Sequence, residues 1–501
     1  MPPLENPARA AGLPETGRSA AELLGELARL RDRDLPVRGG NVTAYVYDTG
    51  RAEVHDAAAR AHLEMLEVNC LDPTAFPSIV ALERQLVAAV AERLGGDAGT
   101  PGIFTSGGTE SIMLAVKAAR DARDARPAHA GPAEYGRLQV VAPATAHPAF
   151  AKAVHYLGME LVTVPVDPVT FRADPAATAA ALTSRTALVV ASAPSYPHGV
   201  LDPVAGIAAL AAGAGVPCHV DACVGGWVLP WLRENGQDVP LFDLSVPGVT
   251  SISCDLHKYG YAPKGASVVL FADEAMRRRA YFASAEWPGY PVINTTVQSS
   301  RSAGPLGAAW ATLQAIGAEG YRVLAAEAMR ATGRLVAGVA GIPGLHVLGE
   351  PDAPLVAIAS DDPGLCVFTL ADEARQRGWF FQVQLSSGDS PANLHMTLTG
   401  VSGNRAGELL SVLRESAEAA RASGPPDVPA ELVDALAGLD LDAIDDAGFA
   451  GLLASVGVDL GGAGDPEMAV VNAILDALPP ATREALLVRF LAVLYSPHIQ
   501  E

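Results

Sequence analysis

Lysine is scarce in this 501-residue chain. It occurs only at 117, 152, 258 and 264, and the remaining 31 of the 35 basic residues are arginines. Basic charge is scarce as a whole: 56 acidic residues leave a formal net charge of -21. A general binder of nucleic acid or anionic membrane needs a basic patch, and none is visible. Cysteine is sparse too. The five, at 70, 218, 223, 254 and 366, form no CxxC pair. That pattern argues against a disulfide framework and fits a reducing cytoplasm. No uninterrupted apolar run reaches membrane-spanning length, and the first residues lack the apolar core of a signal peptide. No GxGxxG follows a first strand with an acid some 20 residues on, which argues against a dinucleotide site. Internal repeats and low-complexity tracts are also missing. What is abundant is apolar material, at 50% of residues. A chain of this length can bury a large core, so disorder is excluded.

The pattern along the chain predicts alternating elements. Residues 1–40 read as an N-terminal arm with a helix around Ala20–Arg33. A helix over Ile79–Leu94 stops at Gly95-Gly96. A second opens at Thr105-Ser106-Gly107-Gly108-Thr109 and runs through Arg120. Short β-branched runs follow at Leu138–Ala142, Leu161–Val166, Ala187–Ala191, Pro217–Val220, Val249–Ser253 and Ser267–Phe271. Helical stretches such as Pro148–Leu157 and Pro203–Ala212 separate several of them. Such alternation predicts an α/β fold with a mostly parallel sheet covered on both faces. A long helical pattern over Gly307–Leu324 leads to an α+β unit. Strands are expected there near Leu355–Ala359 and Cys366–Leu370, with a helix near Ala371–Gly378. Beyond Gly424-Pro425-Pro426 lies a helical extension with an acidic outer face. The expected divisions are 1–78 (arm and helical segment), 79–320 (large domain) and 321–501 (small domain with the extension).

Three segments can carry chemistry. Ser106-Gly107-Gly108-Thr109-Glu110-Ser111 stands where a loop opens into a helix. Free N–H groups and close backbone approach there suit a phosphate, though an ordinary helix cap reads the same way. His219-Val220-Asp221-Ala222-Cys223 ends a strand, where open α/β sheets bind ligands. His219 and Asp221 share a strand face, so a metal pair is conceivable. No third ligand motif accompanies them, and no metal is expected. Asp221 also reads as a structural turn residue. His257-Lys258 follows a later strand. A lysine in an apolar, glycine-flanked setting can lose its proton, and a neutral lysine reacts with an aldehyde. The alternative is a surface lysine. Phosphate cradle, strand-end acid and lysine together match the needs of pyridoxal 5'-phosphate (PLP). The lysine holds the aldehyde, the acid pairs with the ring nitrogen and the loop holds the phosphate. His147, in Thr145-Ala146-His147-Pro148, could stack on the ring.

Thr105–Ser111, Thr145–Phe150, Pro197–Pro203, His219–Gly226 and Thr250–Gly265 resemble the sphingosine-1-phosphate lyases, within the PLP-dependent group II decarboxylase superfamily. The likeness covers most of the chain from about Gly40, with a trace at Leu491–Ser496. It implies a type I fold with a smaller C-terminal α+β domain. It further implies Lys258 as the cofactor lysine, Asp221 on the ring nitrogen and His147 on the ring face. Gly108, Thr109 and His257 would hold the phosphate, with Ser300 reaching the cofactor phosphate of the partner subunit. Lys264 and Tyr45 would serve catalysis or substrate binding, although Tyr47 competes for the tyrosine position. Family members are homodimers with sites at the subunit interface. They cleave a 2-amino-3-hydroxyalkyl phosphate by retro-aldol chemistry.

Departures fall in the substrate pocket. Asp72 replaces a histidine, Val292 replaces a tyrosine with Tyr290 two residues earlier, and Ser299–Gly304 departs from a glycine-rich run. An acid at 72 would repel a phosphate, so an altered substrate is expected. Decarboxylation of an α-amino acid is the alternative reaction, and a non-catalytic cofactor-holding scaffold the third. The membrane anchor of the eukaryotic lyases has no counterpart, which fits a soluble, cytoplasmic enzyme.

Overall fold

In a computed structural model, residues 13–32, 34–123, 136–455 and 468–496 are described. The large unit is built on seven strands. They are β1 (Gly102–Thr105), β2 (Gln139–Pro143), β3 (Glu160–Val164), β4 (Thr186–Ser192), β5 (Cys218–Asp221), β6 (Val249–Cys254) and β7 (Ser267–Phe271). Their order is β1-β7-β6-β5-β4-β2-β3. Four neighbouring pairs are parallel, and β7 alone runs against both its neighbours. The mostly parallel sheet is therefore present. β1 was not expected, since four residues show little of a period.

Alternate strand residues enter different cores, as a sheet covered on both faces requires. Val189 and Ala191 of β4 join one apolar cluster, while Leu188 and Val190 join another. In β7, Val268 and Leu270 face the first, and Val269 and Phe271 pack under helix Gly108–Arg123. β1 and the parallel strands all point the same way. Their C-terminal ends meet at one edge, and there the loops of interest converge.

After a hairpin of β8 (Phe282–Ser284) and β9 (Val292–Asn294), one helix runs over Gly304–Val339, with a break at Gly317. Its first part contributes Leu306, Leu313 and Ile316 to the large core. Its last part contributes Leu335 and Val339 to a second core. The expected boundary at 320/321 lies three residues beyond the break at Gly317. The second core lies against an antiparallel sheet, β10-β11-β13-β12 (Leu345–Val347, Leu355–Ser360, Asn393–Thr397 and Gln382–Gln384).

The strand expected at Cys366–Leu370 is instead the start of helix Val367–Gln376. Val367, Phe368, Leu370 and Ala374 are its buried residues, which is one face of a helix. Over only five apolar residues a strand and a buried helix look alike. Near the N-terminus, Thr43 bonds across to this unit. Its N–H donates to the Phe380 carbonyl at 3.1 Å, and its carbonyl accepts from Thr397 N–H. The following residues, 45–55, are thereby laid along the sheet edge. Helices Ala430–Ala437, Asp446–Ser455, Met468–Ala477 and Pro480–Leu494 follow. They share a small core of Leu436, Ile474 and Leu478. Ala469 N–H and Ser386 N–H donate to Asp372 and Asp476 and tie this bundle to the second unit.

Candidate active site

A chamber of about 340 Å³ opens at the common strand edge. Small-molecule sites run from about 300 to 1,000 Å³. Gly108, Thr109, His147, Asp221, His257 and Lys258 all line it. The sequence separates these residues by up to 150 positions, and the parallel topology brings them together. Asp221 closes β5, His147 follows β2, and His257-Lys258 lies in the turn after β6.

The loop 106–108 reaches the chamber floor only because position 108 is glycine. A Cβ there would stand 2.6 Å from Cys223 Sγ and 2.9 Å from Asp255 Oδ2. Glu110 holds the loop from behind. Its carboxylate accepts Ser106 N–H at 2.7 Å and Val297 N–H at 2.8 Å. The segment thus caps the helix and lines the chamber floor at once.

Two opposing effects act on the Lys258 amine. Burial would depress its proton affinity, but Asp255 Oδ2 stands 2.9 Å from Nζ. That carboxylate outweighs burial and holds the ammonium well above the usual lysine range. Asp255 itself is 2% exposed. Burial raises its affinity for a proton, but Lys258 and His257 overcome that and keep it ionised. Sequence reasoning gave Asp255 no role, although its i, i+3 spacing to Lys258 was a signal.

Burial lowers the proton affinities of His147 and His257, against the pull of Asp221 and Asp255 respectively. His147 Nδ1 accepts Ala149 N–H at 3.1 Å, and His257 Nδ1 accepts Ala266 N–H at 3.2 Å. Each ring is thus left with Nε2 as its donor. Both ring nitrogens of His219 face serine hydroxyls. The residue is fully buried, with Nδ1 2.8 Å from Ser251 and Nε2 3.3 Å from Ser253. Among the described residues no cluster could hold a metal ion.

A second cleft, about 790 Å³, adjoins the chamber, and His257 lines both. Lys264, Tyr45, Tyr47, Arg38 and Arg51 are in its wall. Lys264 Nζ sits 5.0 Å above the Tyr47 ring and donates to the His257 carbonyl at 3.3 Å. Desolvation in the cleft, with the Lys258 cation adding to it and Asp255 opposing, lowers its proton affinity to about 8. Burial pushes the Tyr47 phenol up to about 12. Tyr45 lines the same cleft but is 57% exposed, its ring 6.0 Å from Phe380. Tyr196, which sequence reasoning missed, lines the chamber, and its hydroxyl donates to Gln382 at 2.6 Å.

Asp72, Tyr290, Val292 and Ser300 line neither cavity within one protomer. Asp72 is exposed, and its Oδ1 accepts Thr74 N–H at 2.8 Å and Thr74 Oγ1–H at 2.6 Å. Its carboxylate is turned onto its own loop. Tyr290 packs its ring against Trp287, Val292 pairs with Ser284 in the hairpin, and Ser300 is exposed.

The geometry can be set beside known proteins. The model of the pyridoxal-dependent decarboxylase conserved domain matches residues 56–359. A second model, of a C-terminal domain of pyridoxal-dependent enzymes with helix-turn-helix character, matches 430–493. A sphingosine-1-phosphate lyase of Dictyostelium discoideum is 40% identical over 66% of this chain and 60% of its own length. One of Arabidopsis thaliana is 36% identical over 75% of this chain and 70% of its own. The solved structure of a Burkholderia pseudomallei sphingosine-1-phosphate lyase aligns with a TM-score of 0.76 at 35% identity, covering 84% of this chain and 96% of that one. A Lactobacillus brevis glutamate decarboxylase, 19% identical with a TM-score of 0.69, covers 83% of this chain and 97% of its own and shares the fold alone. The chain belongs to the pyridoxal-dependent decarboxylase family, within its sphingosine-1-phosphate lyase branch, and is a PLP-dependent lyase.

Proposed function

We propose that this chain cleaves the Cα–Cβ bond of a 2-amino-3-hydroxyalkyl phosphate by a retro-aldol reaction. The observation that carries the reading is the junction of the two cavities at His257. Lys264 and Tyr47 line the cleft that meets, at His257, the chamber lined by Lys258.

The chamber residues fit PLP: a glycine floor, donors at His257 and Thr109, a strand-end carboxylate at Asp221 and a lysine on the wall. When bound, the cofactor supplies an electron sink for the carbon–carbon bond that breaks. Lys258 would bind its aldehyde, Asp221 would pair with the ring nitrogen and His147 would cover the ring face. Gly108, Thr109 and His257 would hold the phosphate. Lys264 Nζ, with a proton affinity near neutrality, takes the proton of the substrate β-hydroxyl. Tyr47 keeps its proton at neutral pH and so donates a hydrogen bond and does not act as a base. Tyr45 lines the substrate's route in.

A phosphorylated substrate is supported by the cleft. Arg38, Arg51 and Lys264 line it, and neither arginine makes an ion pair among the described residues. The one carboxylate in its wall, Asp48, accepts hydrogen bonds from Gly39 and Gly50 N–H. The turned-back Asp72 removes the reason to expect repulsion within a protomer.

A homodimer is supported by the exposed hairpin. Phe282, Trp287, Tyr290, Ile293 and Val297 are all open to solvent in one copy. Large exposed apolar patches mark interaction surfaces. A second copy would carry Tyr290, Val292 and Ser300 toward its partner's site. A cytoplasmic location is supported by five free cysteines.

The test is product mass spectrometry on holoenzyme given 2-amino-3-hydroxyalkyl phosphates, their unphosphorylated forms and common amino acids. An aldehyde and phosphoethanolamine are expected from the first class only, and Lys258→Ala should yield neither. An amine lighter by carbon dioxide would overturn the retro-aldol reading in favour of decarboxylation.

A further inference from the structure

We propose that Asp255 is a positioning residue. Its carboxylate holds the Lys258 amine as an ammonium against the chamber wall whenever that lysine is not bonded to the cofactor aldehyde. The inference rests on Lys258 being the cofactor lysine, as read above.

Geometry carries it. Asp255 is the first residue after β6, and its N–H donates to the Cys223 carbonyl at 3.2 Å. Lys258 N–H donates back to the Asp255 carbonyl at 3.4 Å. The tight turn between them leaves Oδ2 at 2.9 Å from Nζ and 3.5 Å from His257 Nε2. Oδ1 is buried without a hydrogen bond. A buried carboxylate with one oxygen unmatched is costly unless a cation stands beside it. Within the described residues, Lys258 is the nearest cation it has.

The other groups facing Lys258 do not do this. Asp221, Tyr47 and Cys223 act on it through space, and His147, His257 and Lys264 are bases that oppose a second positive charge. Among the described residues Asp255 forms the one ion pair with Lys258.

The consequence is chemical. Capture of an aldehyde needs a neutral amine. For Lys258 this would require the ammonium to give up one proton, and the two remaining N–H protons would leave with the aldehyde oxygen as water. Once freed from such a bond, Nζ would regain its protons beside Asp255. The carboxylate therefore parks the released lysine and sets the pH at which it can return.

The experiment uses apoenzyme and two readouts that need no substrate. One is the pH dependence of cofactor uptake, followed by its visible absorbance. The other is site-resolved reductive methylation by formaldehyde and cyanoborohydride, read by peptide mass spectrometry. In Asp255→Asn the amide cannot balance the ammonium. Methylation of Lys258 at neutral pH should rise at least about tenfold, the change in neutral fraction for one unit of proton affinity. Uptake should shift to lower pH, and Asp255→Glu should restore the wild-type profile. An Asp255→Asn protein whose pH profile superimposes on wild type, or whose rates fall equally at every pH, overturns the proposal. If Asp255→Asn fails to fold, the wild type still decides. Lys264 should methylate faster than Lys258 at neutral pH, and the reverse order overturns the proposal. A chain that proved a decarboxylase would leave these readouts unchanged, so the two readings fail separately.

Discussion

Two lysines six residues apart end up in opposite states because of what stands beside each. Lys258 has a carboxylate at 2.9 Å, whereas Lys264 has a tyrosine face and a neighbouring cation. Lys264 is also open to solvent, which softens the effect without reversing its direction. The base form of Lys264 grows as pH rises through about 8. Turnover is therefore expected to climb through that region. Lys264→Met should remove the rising limb and cost about 10²- to 10⁴-fold in kcat, the usual worth of a general base. A Met variant that keeps the limb would assign it to another group. At this scale the sequence was legible where residues lie in contiguous motifs. Asp221, His147 and Lys258 were singled out that way, and they line one chamber. Protonation was not legible, because it depends on burial and on which carboxylate is nearest. The choice between Tyr45 and Tyr47 was not legible either. Their backbone turns through a positive φ of 65° at Tyr45, and the Tyr47 ring lies under Lys264 Nζ.

Among the elements, the long helix Gly304–Val339 has the most to explain. It passes from one core to the other and breaks at Gly317, where φ is 64° and ψ is 171°. That backbone region is accessible essentially to glycine alone. A Cβ would meet nothing within 4 Å, so space is not the obstacle. Gly317→Ala is expected to cost about 1–3 kcal/mol, read as a lower urea midpoint at unchanged slope. Unchanged stability would mean that the helix straightens without penalty and that the break serves no purpose. Element type was legible for six strands of the main sheet, since each is a β-branched run bounded by turn residues. It failed at Cys366–Leu370, where five apolar residues fit either period. Short strands show little of a period: β1 and β12 were missed, whereas β5, also four residues, was met by the run Pro217–Val220. The reversed direction of β7 was invisible, because direction is a property of pairing.

For the molecule as a whole, the open question is what covers the hairpin. Trp287 is 46% exposed and Ile293 61%. The double variant Trp287→Glu, Ile293→Glu should sediment as a monomer and lose turnover, while its Lys258 chamber still takes up cofactor. A variant that remains dimeric would place the interface elsewhere. The acidic C-terminal bundle behaves differently. It is tied to the second unit through Asp372 and Asp476, and none of its described residues lines the chamber.

By itself the sequence determined the chemistry available: few lysines, an acid at a strand end, a glycine loop before a helix and a histidine after a strand. These are local matters of residue type and short spacing. The tertiary structure decided which groups meet. Parallel strands bring their C-terminal ends to one edge, so residues far apart in sequence share a chamber of about 340 Å³. That convergence places Asp255 beside Lys258 and Lys264 over Tyr47. Proton affinities follow from distance and dielectric, and those exist only once the chain has folded.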